Sequence, residues 1–325
     1  MKIIFFDVQD YEIDFLKKNC PKGVEVELFK GSIETFGGNF DADAISVFAI
    51  NPVRAEALKK FKNLKYIFAR SVGFSHIDKN YCASHSIKVF NTPHYGDYTI
   101  AEFAFGILLS VVRKIRQSSD AVKNGDVNLG DFIGMELYSK TIGIIGLGAI
   151  GQKVAKIAEG FSMNVICHDI VPKEGYNCVS LDELCARADI ITLHAPLTVS
   201  NHYLLNAEMF EKMKDGVVIV NTARGEIVDT QALLCAIESG KIAFCALDVL
   251  ECETLLMGGE KCCPDCHEES CLRKFFLNRR LLSHPNVLIT PHVAYDTKEA
   301  IERILKITMQ NIIAAQSGKY ENVVI

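Results

Sequence analysis

The sequence predicts an α/β protein of two domains, each a parallel sheet flanked by helices. Three observations carry this reading. Strand-length apolar runs alternate with helix-length amphipathic stretches almost throughout, which is the grammar of parallel α/β sheets. The chain has 325 residues, 49% apolar and 23% charged, enough for two domains with a core each. Only the second domain carries a Gly-x-Gly-x-x-Gly turn, at mid-chain, so the domains share a grammar but not a ligand motif.

In the first half, strands are expected near 2–7, 24–28, 44–48, 65–69 and 87–90, with helices between several of them, for example over 53–61. The opening run meets Asp7 after four apolar residues, so it reads as a strand and not as an export signal. Around Thr92-Pro93 the composition turns loop-like. The stretch 100–115 is apolar nearly all round, which predicts a helix buried between layers or domains. A strand, the glycine turn and a helix follow from about 141. Ser180-x-x-Glu183 predicts a capping box, then a strand over 189–194 and a loop at Ala195-Pro196. The strand Val217–Asn221 precedes a helix capped by Asp229 and closed at Gly240. Strands over 244–249 and 287–290 complete this half. The amphipathic stretch 297–317 is expected to return to the first domain. The boundaries are therefore 1–100 with 297–325 for one domain and 101–296 for the other.

Composition narrows the partners. The net charge is −5 with no long basic run, so nucleic acid is not an expected partner. No apolar stretch is long enough to span a bilayer. Of twelve cysteines, Cys167, Cys185, Cys235 and Cys245 lie in apolar runs and read as small buried residues. With no export signal, a reducing cytoplasmic setting is expected.

The glycine turn carries the first chemistry. Gly146 permits a tight turn, Gly148 lets the backbone approach a pyrophosphate, and Gly151 allows close helix–strand packing. Ile142, Ile144 and Ile145 precede it as a buried strand. Ile150, Val154, Ile157 and Ala158 follow at helical spacing. The helix start offers N–H groups and a positive dipole end to phosphates. Asp169 stands after the next strand, where a carboxylate accepts from a ribose diol and repels a 2′-phosphate. The cofactor expected is NAD.

Ligands of open α/β sheets collect at the carboxyl ends of strands. Arg224, Asp248, Glu253 and His292 all follow strands of the second half. Taken singly, such residues are most often surface, capping or packing residues. In this order after a dinucleotide turn they predict reduction of a ketone. His292 supplies a proton to the oxyanion left by hydride transfer, and Glu253 orients its ring. Arg224 holds a carboxylate and polarises the keto oxygen with its planar fork.

These motifs, with Asn221-Thr-Ala-Arg224-Gly, Asp248-Val-Leu-Glu-Cys-Glu253 and Thr290-Pro-His292, resemble the D-isomer-specific 2-hydroxyacid dehydrogenases over nearly the whole chain. Arg70-Ser-Val-Gly-Phe-Ser-His-Ile-Asp78 resembles the substrate-carboxylate loop of the D-lactate dehydrogenase branch. The resemblance implies a flavodoxin-like substrate domain and a Rossmann NAD-binding domain around a cleft, in a homodimer. It makes Arg224, Glu253 and His292 catalytic. Val72 and Gly73 become backbone donors to the carboxylate, with Tyr95 and Tyr295 near the substrate. Ala149 and Ile150 join the glycines at the pyrophosphate, and Ala195, Pro196, Asn201, Thr222, Ala223 and Asp248 become further cofactor contacts. The implied reaction is NADH-dependent reduction of a short 2-keto acid to the (R)-2-hydroxy acid, with pyruvate to D-lactate as the leading case. Hydroxypyruvate, glyoxylate and aromatic 2-keto acids use the same machinery. A different class, an NAD(H)-sensing module that binds proteins, would keep the same nucleotide site.

The departure from the simplest members is a longer segment between Glu253 and His292. It holds Cys262, Cys263, Cys266, His267 and Cys271, with Cys252 just before it. Cys263-x-x-Cys266-His267 with Cys271 has ligand types that suit zinc, but a second Cys-x-x-Cys is missing, so no metal is expected.

Overall fold

The computed structural model describes residues 1–49, 51–256 and 268–325. The chain divides into two compact units, Met1–Tyr95 with Thr297–Ile325, and Gly96–Asp296.

The first unit is built on five parallel strands, β1 (Lys2–Phe5), β2 (Glu25–Leu28), β3 (Ala44–Val47), β4 (Tyr66–Ala69) and β5 (Lys88–Phe90), in the order β2-β1-β3-β4-β5. Its helices are α1 (Asp10–Asn19), α2 (Ala55–Leu58), α3 (Lys79–Ser84) and, from the end of the chain, α12 (Lys298–Gln316). Successive strand residues point to opposite faces. Ile3 and Phe5 therefore pack with Leu305, Met309 and Ile312 of α12, while Ile4 and Phe6 pack with Phe36, Leu58 and Phe61. The Thr297 hydroxyl caps α12 by accepting the Ala300 N–H at 3.2 Å. The helix expected over 53–61 is a single turn. Val53 is drawn instead into a bridge with Ile77, donating its N–H to the His76 carbonyl at 2.8 Å.

The second unit has six parallel strands, β6 (Thr141–Ile145), β7 (Asn164–His168), β8 (Ile190–Leu193), β9 (Val217–Asn221), β10 (Ile242–Leu247) and β11 (Val287–Ile289). Their order is β11-β10-β9-β8-β6-β7, all parallel. The direction of winding reverses at β6, with β7 on one side and β8 on the other. That opens a crevice at the carboxyl end of β6. The helices are α4 (Asp97–Val112), α5 (Ile115–Asn124), α6 (Ala149–Gly160), α7 (Leu181–Arg187), α8 (Ala207–Lys212), α9 (Thr230–Glu238), α10 (Glu253–Leu256) and α11 (Glu268–Ser283).

The apolar helix expected over 100–115 is α4. Ala101, Ala104, Phe105, Leu108 and Val112 pack with Ile142, Ile144, Val154 and Val220. It stops earlier than its apolar pattern suggests, because Lys114 takes a left-handed conformation (φ 49°, ψ 38°) and the chain restarts as α5. No residue of α5 is buried. The capping box expected at Ser180 is half formed. The Ser180 hydroxyl accepts the Glu183 N–H at 3.1 Å, but the Glu183 carboxylate pairs with Arg187 one turn on. A register shift between Ile242 and Phe244 lets β10 begin earlier than the expected 244–249. Among the described residues no helix is long and apolar enough to cross a membrane.

Candidate active site

The glycine turn closes the end of β6 against β8. Gly146 has φ +92°, and a Cβ there would stand 2.5 Å from the Ala195 nitrogen. At Gly151 a Cβ would meet the Gly146 carbonyl at 2.1 Å. Gly148 is the opposite case, since a Cβ would meet nothing within 4 Å. It is also the N-cap of α6 and offers no side chain to cap it. The first-turn N–H groups, those of Ala149 and Ile150 among them, therefore remain available to a ligand. Asp169, half-buried after β7, accepts the Leu147 N–H at 2.6 Å and the Val171 N–H at 3.1 Å. It thereby anchors the turn itself. At the same end of the sheet, Ile170, Val171, Leu197 and Val199 expose apolar side chains. An open backbone cradle, an uncapped helix start, a carboxylate and an apolar rim fit a dinucleotide. The exposed apolar rim is a feature sequence reasoning missed, because burial is not visible in local pattern.

The loop after β8 is braced by Asn201. Its amide donates to the Pro196 carbonyl at 2.7 Å and its Oδ1 accepts the Thr198 N–H at 2.7 Å. Nearby, His194 contacts the Thr192 hydroxyl at 2.8 Å and the Thr222 hydroxyl at 3.4 Å. Burial pushes the His194 ring down to about 3, so it is neutral at physiological pH.

After β9, Asn221 folds the chain back. Its Oδ1 accepts the Ala223 N–H at 2.9 Å and its amide donates to the Arg224 carbonyl at 2.9 Å. Thr222 and Ala223 are almost fully covered. The Arg224 guanidinium donates to the Ala223 carbonyl at 2.6 Å. Gly225 then lies so close to the next strand-end loop that a Cβ would stand 2.1 Å from the Leu250 carbonyl carbon. The arginine turn and the glutamate loop are thus packed backbone to backbone.

Asp248 is 1% exposed and anchors the final turn. Its carboxylate accepts the Thr290 hydroxyl at 2.6 Å and the N–H groups of Val293 at 3.0 Å and Ala294 at 2.8 Å. Its carbonyl accepts the His292 N–H at 2.9 Å. His292 sits at φ +55°, a conformation uncommon for a side-chain-bearing residue. Its Nδ1 lies 2.6 Å from Glu253 Oε1, and Glu253 Oε2 accepts the Leu250 N–H at 3.1 Å. The His292 side chain is 39% exposed and that of Glu253 24%. The pair therefore reaches solvent, and Nε2 remains for proton exchange. Tyr295 follows on the same turn, half-buried. The structure brings Arg224, Asp248, Glu253 and His292 to one end of the second unit's sheet.

Val72, Gly73 and Tyr95 belong to the first unit. The Ser71 hydroxyl donates to the Gly73 carbonyl at 2.6 Å and the Asn91 amide to the Val72 carbonyl at 2.9 Å. Among the described residues nothing accepts the N–H groups of Val72 and Gly73. Tyr95 is buried, and its carbonyl accepts the Arg303 Nε–H at 2.7 Å.

Cys262, Cys263, Cys266 and His267 lie outside the described residues. Cys271 is buried and Cys252 half-buried. Among the described residues, no group of three His, Cys, Asp or Glu could hold a metal ion.

Residues 105–294 match the family model for the D-isomer specific 2-hydroxyacid dehydrogenase, NAD binding domain. The chain belongs to the D-isomer specific 2-hydroxyacid dehydrogenase family. It is 38% identical over 325 residues to an aromatic 2-oxoacid reductase of Clostridium sporogenes, covering 96% of this chain and 95% of that one. Among solved structures it is similar to the D-lactate dehydrogenase of Aquifex aeolicus complexed with NAD and lactic acid. That match has a TM-score of 0.87 and 34% identity, covering 99% of this chain and 98% of the other. A D-2-hydroxyisocaproate dehydrogenase matches with a TM-score of 0.84 and 30% identity, covering 100% and 99%. The cofactor of this 2-hydroxyacid dehydrogenase is NAD.

Proposed function

We propose that the protein reduces a short 2-keto acid to the (R)-2-hydroxy acid, with pyruvate to D-lactate as the leading reaction. The His292–Glu253 pair, 2.6 Å between Nδ1 and Oε1, carries this reading. Bound NADH supplies the hydride. His292, oriented through Nδ1 by Glu253, gives a proton from Nε2 to the oxygen that becomes the hydroxyl. Arg224 grips the carboxylate and polarises the keto oxygen. In the reverse direction His292 takes the hydroxyl proton. The glycine turn with Ala149 and Ile150 receives the pyrophosphate. Asp169 takes the ribose diol. The segments carrying Ala195, Pro196, Asn201, Thr222, Ala223 and Asp248 shape the rest of the cofactor site. In the first unit, the N–H groups of Val72 and Gly73 form a carboxylate-binding turn, with Tyr95 beside the substrate; Tyr295 has that role in the second unit.

A second reading, reduction of an aromatic 2-keto acid, is favoured by the printed name of the Clostridium sporogenes relative. NADH oxidation across pyruvate, 2-ketobutyrate, phenylpyruvate, hydroxypyruvate and glyoxylate separates them. The leading reading expects the highest kcat/KM on pyruvate. A higher value on phenylpyruvate moves the assignment to the second reading, and no rate on any of them overturns both.

The working form is proposed to be a homodimer. The α5 helix buries none of its residues, and Val122, Val127, Leu129, Ile133 and Tyr138 of this region are exposed. Light scattering is expected to give twice the 36.1 kDa chain mass, and a monomer at micromolar concentration would overturn this point. A cytoplasmic location is proposed from the thiols. The nine described cysteines are free thiols, the state that a reducing compartment maintains. Fractionation of cells producing a tagged chain tests it, and recovery outside the cytoplasm counts against it.

A further inference from the structure

The loop that carries Glu253 rests on a buried ion pair that the reaction above does not use. Glu251 is 2% exposed, yet its carboxylate meets four donors. Oε1 accepts the Tyr203 hydroxyl at 2.7 Å and the Lys274 ammonium at 2.6 Å. Oε2 accepts the Thr230 hydroxyl at 2.5 Å and the Thr230 N–H at 3.2 Å. The Glu251 carbonyl accepts the amide of Asn278, itself 0% exposed, at 2.7 Å. A carboxylate withdrawn from water persists only when its charge and lone pairs are matched. Here the turn at Tyr203, the start of α9 and Lys274 of α11 match them together, while Asn278 holds the backbone carbonyl.

Lys274 is the one cation among these donors. Burial opposes its charge, but the Glu251 carboxylate outweighs that and holds the ammonium above the ordinary lysine range. The ammonium also lies 5.8 Å from the centre of the Tyr203 ring. Between Glu251 and Glu253 stands only Cys252, turned to φ +53°. That left-handed turn folds Glu253 back onto the Leu250 N–H and toward His292. Gly225 packs against the backbone of Leu250 and Glu251. Where Glu251 is held, Glu253 has little freedom left.

We propose that Lys274, on α11, is a positioning residue: through Glu251 it fixes the 250–253 loop and with it the Glu253–His292 pair. The proposal rests on the reading of His292 as proton donor. Without Lys274, Glu251 would be a buried carboxylate with no countercharge. It would take up a proton or shift toward water, and the short loop would move with it.

The test compares the purified full chain with Lys274→Met, which keeps the length and loses the charge, and Lys274→Arg, which keeps the charge. In Lys274→Met, kcat on the preferred 2-keto acid is expected to fall about tenfold, as misplacement of a reacting group does. The KM for NADH should stay within about twofold, because the glycine turn is not involved. The solvent deuterium isotope effect on kcat should rise as proton delivery becomes limiting. Lys274→Arg should recover most of the rate. A second readout needs no substrate: the low-field proton resonance of the His292–Glu253 hydrogen bond, recognised by its loss in His292→Ala. It should be present in the wild type and Lys274→Arg, and lost or moved upfield in Lys274→Met. An unchanged kcat together with an unchanged resonance in Lys274→Met overturns the proposal. If the wild type reduces no 2-keto acid, the functional reading fails and the resonance alone decides the positioning role. If Lys274→Met does not fold, Tyr203→Phe removes one donor from the same Glu251 oxygen. It should shift the resonance in the same direction, and no shift there overturns the proposal.

Discussion

Each unit sets a strand-end loop on a buried ion pair, and the two pairs are built for different ends. In the first unit Arg70 directly follows β4 with 0% exposure. Its guanidinium donates to the Phe6 carbonyl at 2.6 Å and the Ser46 hydroxyl at 3.3 Å, and its Nε lies 3.5 Å from Glu12 Oε1. The rings of Phe5 and Phe48 stand 5.8 and 5.7 Å from it. Asp7, close by, has its carboxyl pushed up by burial, against the pull of its Asn51 hydrogen bond and of Arg70. The planar fork ties strand ends together and leaves the following turn with fixed backbone N–H groups at Val72 and Gly73. In the second unit, Lys274 and Glu251 lock a loop whose purpose is a side-chain pair. One arrangement holds main-chain donors, and the other is proposed to hold a pair of side chains. Backbone donors suit a ligand of constant charge, whereas a proton transfer needs a group that changes charge in place.

Three changes probe this contrast in descending order of effect. His292→Ala removes the proposed proton donor and is expected to lower kcat by roughly 10²- to 10⁴-fold with a much smaller change in substrate KM. Turnover near the wild-type value would remove His292 from the reaction. The unfolding midpoint should stay close to wild type, because the side chain reaches solvent. Arg70→Met does the reverse. It leaves Glu12 buried without its partner, and urea unfolding should show a loss of about 3–5 kcal/mol. NADH binding, which belongs to the second unit, should survive at temperatures below the lowered midpoint. A loss under about 1 kcal/mol would mean that the first pair is dispensable and the comparison fails. Lys274→Met gives the smallest change, the tenfold effect on kcat described above, because Lys274 is 24% exposed and water can partly replace it.

Much of this was legible in the sequence, for reasons that differ between residues. Strand runs were readable because both faces of each parallel sheet are covered, which makes Val217–Asn221 apolar almost without interruption. The ends of α12 were readable from Thr297 and Ser317, since capping is a local code. The order Gly146, Asp169, Arg224, Glu253, His292 was readable because each stands shortly after an apolar strand run. What stayed hidden depends on contacts between distant segments. The break at Lys114 has no proline or glycine to announce it. Asn201 and Asp248 are expected as cofactor contacts, and nothing local tells that the Asn201 side chain braces its own loop while that of Asp248 holds the distant turn at Thr290–Ala294. Glu251 was visible in the acidic run before Glu253, but its partners come from Tyr203, Thr230 and α11, and no periodicity joins those four segments.

The double engagement of Asp169 has a consequence for anyone wishing to change the coenzyme preference of this dehydrogenase. The carboxylate proposed to discriminate against a phosphorylated ribose is also the staple of the Leu147 and Val171 amides. Simple deletion to alanine would admit the extra phosphate and loosen the loop that must receive the rest of the molecule. A redesign therefore calls for a neutral acceptor of similar length at 169, with a cation introduced from a neighbouring position. The proposed selectivity and the observed bracing of the loop fall on the same two oxygens, and an engineer has to separate them before altering either.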